Sequence, residues 1–168
     1  YTVATRNVSL VMQDPVGEFR DVSISPDGKW LTYSRTADNE FNIVYVYNLD
    51  TKKEYPVTDK WYSSYNPVFS ADGKYLLYTL ASFGNFSIWH ADADLYMVNL
   101  QTGTHEPLTE ANSPDVESYH SWSSNSRWIV FSSRRMDGLY TRPYIAYIDA
   151  QGKASKPFVL PQKSADFY

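Results

Sequence analysis

An all-β fold built from three copies of a four-stranded unit is predicted by three observations. A turn-and-strand motif recurs three times within 168 residues. Each copy is followed by an alternating apolar strand and then by a short proline-containing strand. Aromatic residues make up 17% of the chain, and large aromatic and β-branched side chains suit a pleated, half-buried surface.

The recurring motif reads Ser25-Pro26-Asp27-Gly28-Lys29-Trp30-Leu31, then Ser70-Ala71-Asp72-Gly73-Lys74-Tyr75-Leu76, then Ser123-Ser124-Asn125-Ser126-Arg127-Trp128-Ile129. Proline presets φ, aspartate bonds its own backbone and glycine accepts a positive φ, so each copy is a turn entering a strand. In the third copy Asn125 is expected to tolerate the left-handed conformation in place of glycine. The segments before the turns, Phe19–Ile24, Tyr65–Phe69 and Ser118–Trp122, are predicted as the innermost strands. The third strands are 43–51, 94–103 and 144–152, each ending in a polar turn. The fourth are Tyr55-Pro56-Val57-Thr58, Glu106-Pro107-Leu108-Thr109 and Lys156-Pro157-Phe158-Val159. Proline cannot donate to a ladder, which places these strands at an edge. Four strands repeating at about 45–50 residues is the pattern of β-propeller blades. No segment sustains a helical period, so little helix is expected.

Residues 1–168 are therefore read as one propeller segment with blades at approximately 16–60, 61–112 and 113–162. Two stretches depart from the repeat. Residues 1–13 are expected to hold a lone strand, Thr5–Val11, resembling the last strand of a preceding blade. Ala81–Ala93 inserts the aromatics Phe83, Phe86 and Trp89 between the second and third strands of the second blade. Trp30, Tyr75 and Trp128 share one repeat position and are expected in the core between blades.

The net charge is −4 with dispersed basic residues, which gives no stripe for a phosphate backbone and argues against nucleic acid. No apolar run approaches the roughly 18 residues that would span a bilayer. The absence of cysteine excludes disulfides and thiolate metal sites. The first residue is Tyr1 rather than Met, so the chain reads as processed or excised.

The Ser-Pro-Asp-Gly-Lys-aromatic-Leu motif, the strand Leu95-Tyr96-Met97-Val98-Asn99-Leu100-Gln101-Thr102-Gly103 and the ending Pro107-Leu108-Thr109 resemble the TolB-like propeller repeat. Residues 16 to about 80 look like the propeller of Tricorn-type serine peptidases. Residues from about 83 onward look like TolB-like propellers of Bacteroidetes-type bacteria, on Ser87–Tyr96, Glu117–Ser124 and Phe131–Arg135. The double resemblance leaves open a chimera joined near residues 80–86. It also implies a periplasmic or other extracytoplasmic location. In the peptidases such a propeller is similar to a gate for a separate catalytic domain.

Candidate chemistry is sparse. The three histidines, His90, His105 and His120, accompany no Gly-x-Ser-x-Gly elbow, so no catalytic residue is assigned. His90, Asp92 and Asp94 alternate and would share one face of a strand, but a calcium site needs more oxygen ligands and a glycine-assisted turn. No metal or cofactor is assigned. Arg134 and Arg135, near Tyr119 and His120, could bind a carboxylate or an acidic loop; the alternative is that one arginine pairs with a neighbouring carboxylate and the other is solvated. Trp61, Tyr62 and Tyr65 lead into an innermost strand and could line a peptide or sugar platform, and Trp89 and His90 of the insertion are further candidates for an interaction surface.

The expected function is a non-catalytic binding or scaffold module for protein or peptide. The alternatives are an inert substrate-gating fragment of a Tricorn-type peptidase and an engineered or chimeric chain without a natural ligand. Three blades leave two apolar faces open, so either the chain associates with itself or it is part of a larger ring; a homodimer closing a six-bladed ring is the expected assembly.

Overall fold

The computed structural model describes residues 6–14, 17–37, 41–84 and 87–164. Among them, twelve strands form three four-stranded antiparallel sheets. The first comprises β1 (Phe19–Ile24), β2 (Trp30–Ala37), β3 (Phe41–Asn48) and β4 (Glu54–Pro56). The second comprises β5 (Ser63–Phe69), β6 (Tyr75–Ala81), β7 (Asp94–Asn99) and β8 (His105–Pro107). The third comprises β9 (Glu117–Trp122), β10 (Trp128–Ser133), β11 (Arg142–Tyr147) and β12 (Phe158–Val159). Each sheet is a simple meander, the predicted blade. The helical element among these residues is one 3-10 turn, Ser87–Trp89.

The same side-chain brace closes the first turn of every blade. Ser25 Oγ donates to Asp27 Oδ1 at 2.5 Å, Asp27 accepts from Lys29 N at 3.0 Å, and Ser25 Oγ accepts from Trp30 N at 2.9 Å. Ser70, Asp72, Lys74 and Tyr75 repeat it. So do Ser123, Asn125, Arg127 and Trp128. Asn125 therefore takes the part of the aspartate, and the left-handed residue of the third turn is Ser126, at φ 56°. This corrects the sequence expectation. The reason is that the brace needs a side-chain acceptor two residues after the serine, which only Asn125 supplies there.

Apolar residues pack between blades. Leu76, Tyr78 and Phe69 meet Val44, with Trp30 and Val46 at the border. Leu77, Leu95 and Met97 meet Ile129, Phe131 and Tyr144, with Tyr75 and Trp122 at the border. Trp30 and Tyr75 thus each face the following blade. Trp128 faces the same way, but no fourth sheet follows it among the described residues, and it is 39% exposed. Among the described residues it lies at the open end of the arc, where a core between blades was expected. Val130, Tyr147 and Phe158 are exposed beside it. At the other end of the arc, Val22 and Ile24 of β1 are exposed.

Two further expectations change. Arg6–Asp14 holds a single bridge residue, Asn7, and no strand; Tyr1–Thr5 lie outside the described residues, as does Phe86 of the insertion. Val8 and Leu10 are exposed, and Asp14 ties the segment to the first blade by accepting from Arg35 and from Gly17 N. In the fourth strands, Pro56 stands opposite Tyr45 and Pro107 opposite Tyr96, whereas Val159 stands opposite Tyr144. Pro157 lies two residues off the matching place and precedes β12.

Candidate functional site

Strand register decides which loops share a surface. In the second blade Ser63 stands opposite Ala81, Leu80 opposite Asp94, and Tyr96 opposite Pro107. The start of the first strand, the end of the second, the start of the third and the end of the fourth therefore lie at one end of the sheet. The loops 57–62, 82–93, 108–116 and 134–141 all emerge there. Trp61 (70% exposed), Trp89 (74%) and Leu139 (76%) occupy this end. Tyr62, Phe83, Met136 and Tyr140 are also exposed on the same loops.

Local bonding fixes the loops that carry these side chains. Asp59 Oδ1 accepts from Trp61 N at 3.0 Å. The 82–93 insertion is pinned by Asp92, whose carboxylate accepts from Ser82 N at 2.8 Å. Phe83 meets the His90 ring edge-on at 4.7 Å. Gly84 has φ +86°, and a Cβ there would lie 2.7 Å from the imidazole, so the loop closes on His90 only with glycine at this position. Asp137 accepts from Leu139 N and Tyr140 N and pairs with Arg142 at 2.7 Å. The Arg142 guanidinium and those backbone bonds hold its carboxyl well below the usual range.

The expected alternation of His90, Asp92 and Asp94 on one strand face is not observed, because β7 begins at Asp94 and the other two precede it in the turn. Among the described residues no group of three or more His, Cys, Asp or Glu is placed to hold a metal ion.

Both arginines are matched internally. Arg134 pairs with Asp115 at 3.4 Å and lies 5.7 Å from the Trp89 ring centroid. Arg135 pairs with fully buried Glu117 at 2.8 Å and also donates to the Ala111 carbonyl. Glu117 accepts from Ser133 and Ser113 as well. Burial pushes the Glu117 carboxyl above its usual range, although these partners act in the opposite direction. Neither arginine is the solvated one of the sequence reading, and Arg135 is a strut between blades.

Tyr65 and His120 are withdrawn from the surface. Both are buried, at 7% and 6% exposure. His120 Nε2 lies 3.2 Å from the Leu77 carbonyl, and Nδ1 lies 3.4 Å from Thr79 Oγ1. Burial pushes its pKa down to about 4, so the ring is neutral, donating from Nε2 to the carbonyl. Its neighbour Tyr119 is 56% exposed. Sequence reasoning passed over Leu139 and Tyr140. Their signal was apolar residues flanking Asp137-Gly138 in a predicted loop, where solvent exposure is the default.

No family model matches the chain. It is 27% identical over 147 residues to the Tol-Pal system protein TolB of Wolinella succinogenes, covering 81% of this chain and 32% of that protein. The chain thus spans about a third of this curated relative, and the match runs across residues 80–86, where the two resemblances meet. Among solved structures, the putative TolB from Agrobacterium tumefaciens superposes with TM-score 0.66 at 18% identity, over 89% of this chain and 50% of that one. The β-propeller domain of the Trilobed protease from Pyrococcus furiosus gives 0.59 at 17% identity, over 88% and 44%. The tricorn protease gives 0.56 at 16% identity, over 86% and 13%. In sequence and in fold, these likenesses support a TolB-like β-propeller, related in architecture to peptidase propellers.

Proposed function

We propose that this chain is a non-catalytic propeller module that binds a protein or peptide through the loop face carrying Trp61, Tyr62 and Trp89. The observation that carries the reading is the collection of large exposed side chains on loops 57–62, 82–93 and 134–141. Exposed apolar and aromatic surface of this kind marks recognition sites. The resemblance adds an extracytoplasmic location to the proposal. The test is selection of displayed peptides against the chain, followed by Trp61→Ala and Trp89→Ala. Loss of binding in both, with Thr102→Ala at the opposite end of the sheets unchanged, supports the reading. Selected peptides indifferent to all three overturn it.

A second reading concerns assembly. Val22 and Ile24 on one open face and Trp128, Val130, Tyr147 and Phe158 on the other occupy positions that face a neighbouring blade elsewhere in the chain. In this reading a second copy supplies the neighbours and closes six blades, as two-fold propeller rings allow. Light scattering should give twice the chain mass of 19.3 kDa, and Trp128→Lys should return the protein to a monomer. A monomeric parent chain at high concentration rules the dimer out.

A further inference from the structure

An aromatic pair recurs directly across the second and third strands of every blade. The pairs are Tyr33 with Tyr45, Tyr78 with Tyr96 and Phe131 with Tyr144. Ring centroids lie 5.9, 5.9 and 6.1 Å apart. In two blades the pair is covered by an arginine of the chain itself. The Arg35 guanidinium lies 4.5 Å from the Tyr45 centroid and is held by Glu54 and Asp14. The Arg135 guanidinium lies 4.7 Å from Tyr144 and 5.3 Å from Phe131, and is held by Glu117. Such stacking is favourable because the ring face is electron-rich and the guanidinium is weakly hydrated.

The second blade breaks this pattern. Leu80 stands two residues after Tyr78, where Arg35 stands two after Tyr33. Among the described residues no lysine or arginine lies over Tyr78 or Tyr96. Instead Tyr96, half-buried with buried Tyr78 behind it, borders a cleft of about 810 Å³ between the first and second blades. Tyr62, Leu80, Asp59 and His105 also line it. His105 stands opposite Val98 as Glu54 stands opposite Tyr47, and it meets the Tyr78 hydroxyl at 3.2 Å just as Glu54 meets that of Tyr33. Lys60 borders the cleft, but its ammonium lies 5.9 Å from the Trp61 centroid. Asp59 leaves a carboxylate at the rim, and burial pushes the His105 imidazole below its usual pKa, although Asp59 acts in the opposite direction.

We propose that this cleft is a binding site for a guanidinium group, the arginine side chain of a partner peptide or protein, which stacks on Tyr96 and pairs with Asp59. The partner would supply in the second blade what Arg35 and Arg135 supply in the other two. The cleft shares Tyr62 and loop 57–62 with the proposed binding face and so deepens that reading by naming a guanidinium as ligand; its test reads Tyr78 and Tyr96, whereas the peptide selection reads Trp61 and Trp89, so either can fail alone.

The experiment titrates protein carrying 13C-labelled tyrosine rings with N-acetyl-arginine amide, and separately with N-acetyl-citrulline amide, its uncharged isostere. The arginine probe should shift Tyr78 and Tyr96 saturably, with the citrulline probe about tenfold weaker or worse. Leu80→Arg supplies the missing guanidinium from within and should abolish the response without lowering the melting temperature. Asp59→Asn is an exposed change that keeps an oxygen acceptor for Trp61 N; it should weaken the arginine probe and leave citrulline unmoved. Equal binding of the two probes, no saturable shift, or arginine binding untouched by both variants would overturn the proposal.

Discussion

Asp21 and Asn66, 45 positions apart, are the same residue of consecutive blades, and they bond to each other. Asn66 N donates to Asp21 Oδ2 at 3.1 Å, and its side-chain amide donates to Asp21 Oδ1 at 3.0 Å once the amide is oriented by its partners. Both sit in a bulge of the innermost strand at positive φ, 54° and 50°. The bulge turns a side chain out of the ladder and hands it to the neighbouring blade. Asp21→Ala should therefore destabilise by about 1–2 kcal/mol. Denaturant unfolding measures it, and the loss should shrink when Asn66 is already alanine.

Gly73 has φ +70°, and a Cβ added there would meet nothing within 4 Å. The barrier to a side chain here is backbone strain, not space. Gly73→Val is expected to cost about 1–3 kcal/mol, read as a lowered melting temperature; an unchanged one would show that the turn relaxes freely.

Arg135→Met strands the Glu117 carboxylate in a buried site. The expected loss is about 3–5 kcal/mol. Adding Glu117→Gln should restore part of it, because the isolated charge rather than the missing contact is the larger penalty. Equal unfolding free energies for the single and double variants would show that the charge plays no part.

His120 sets a pH dependence. Its folded pKa of about 4 lies below the unfolded value of 6.5, so between these values the unfolded chain takes up the proton first. Its contribution to stability is intact above pH 6.5 and is lost as pH falls towards 4, by roughly 3 kcal/mol in full. His120→Gln keeps a donor for the Leu77 carbonyl and cannot titrate. The difference between parent and variant stability should therefore fall across that window and be flat above it.

The blades were legible in the sequence because each is locally encoded: a braced turn, an alternating strand and a polar reversal within one repeat. What lay on the surface was harder to see. Trp30 and Trp128 occupy one repeat position, yet among the described residues only Trp30 has a following sheet to meet. In the third inner strand, strict alternation gives Tyr119 and His120 opposite faces but not which is inside. The left-handed residue at Tyr119, φ 46°, resets the phase, so that Tyr119 emerges and His120 enters the interface. The arginine covers were invisible because their carboxylate partners come from distant parts of the chain, as with Arg35 and Asp14.

The serine brace of each turn spans only six residues, from Ser25 to Trp30, Ser70 to Tyr75 and Ser123 to Trp128. Each hairpin can therefore close before any blade finds its neighbour, which keeps the early steps of folding low in contact order. Three equivalent hairpins offer three nucleation points, so folding need not begin at one end and can spread in either direction along the arc. A lesion in one turn should then reroute folding through the other two rather than block it.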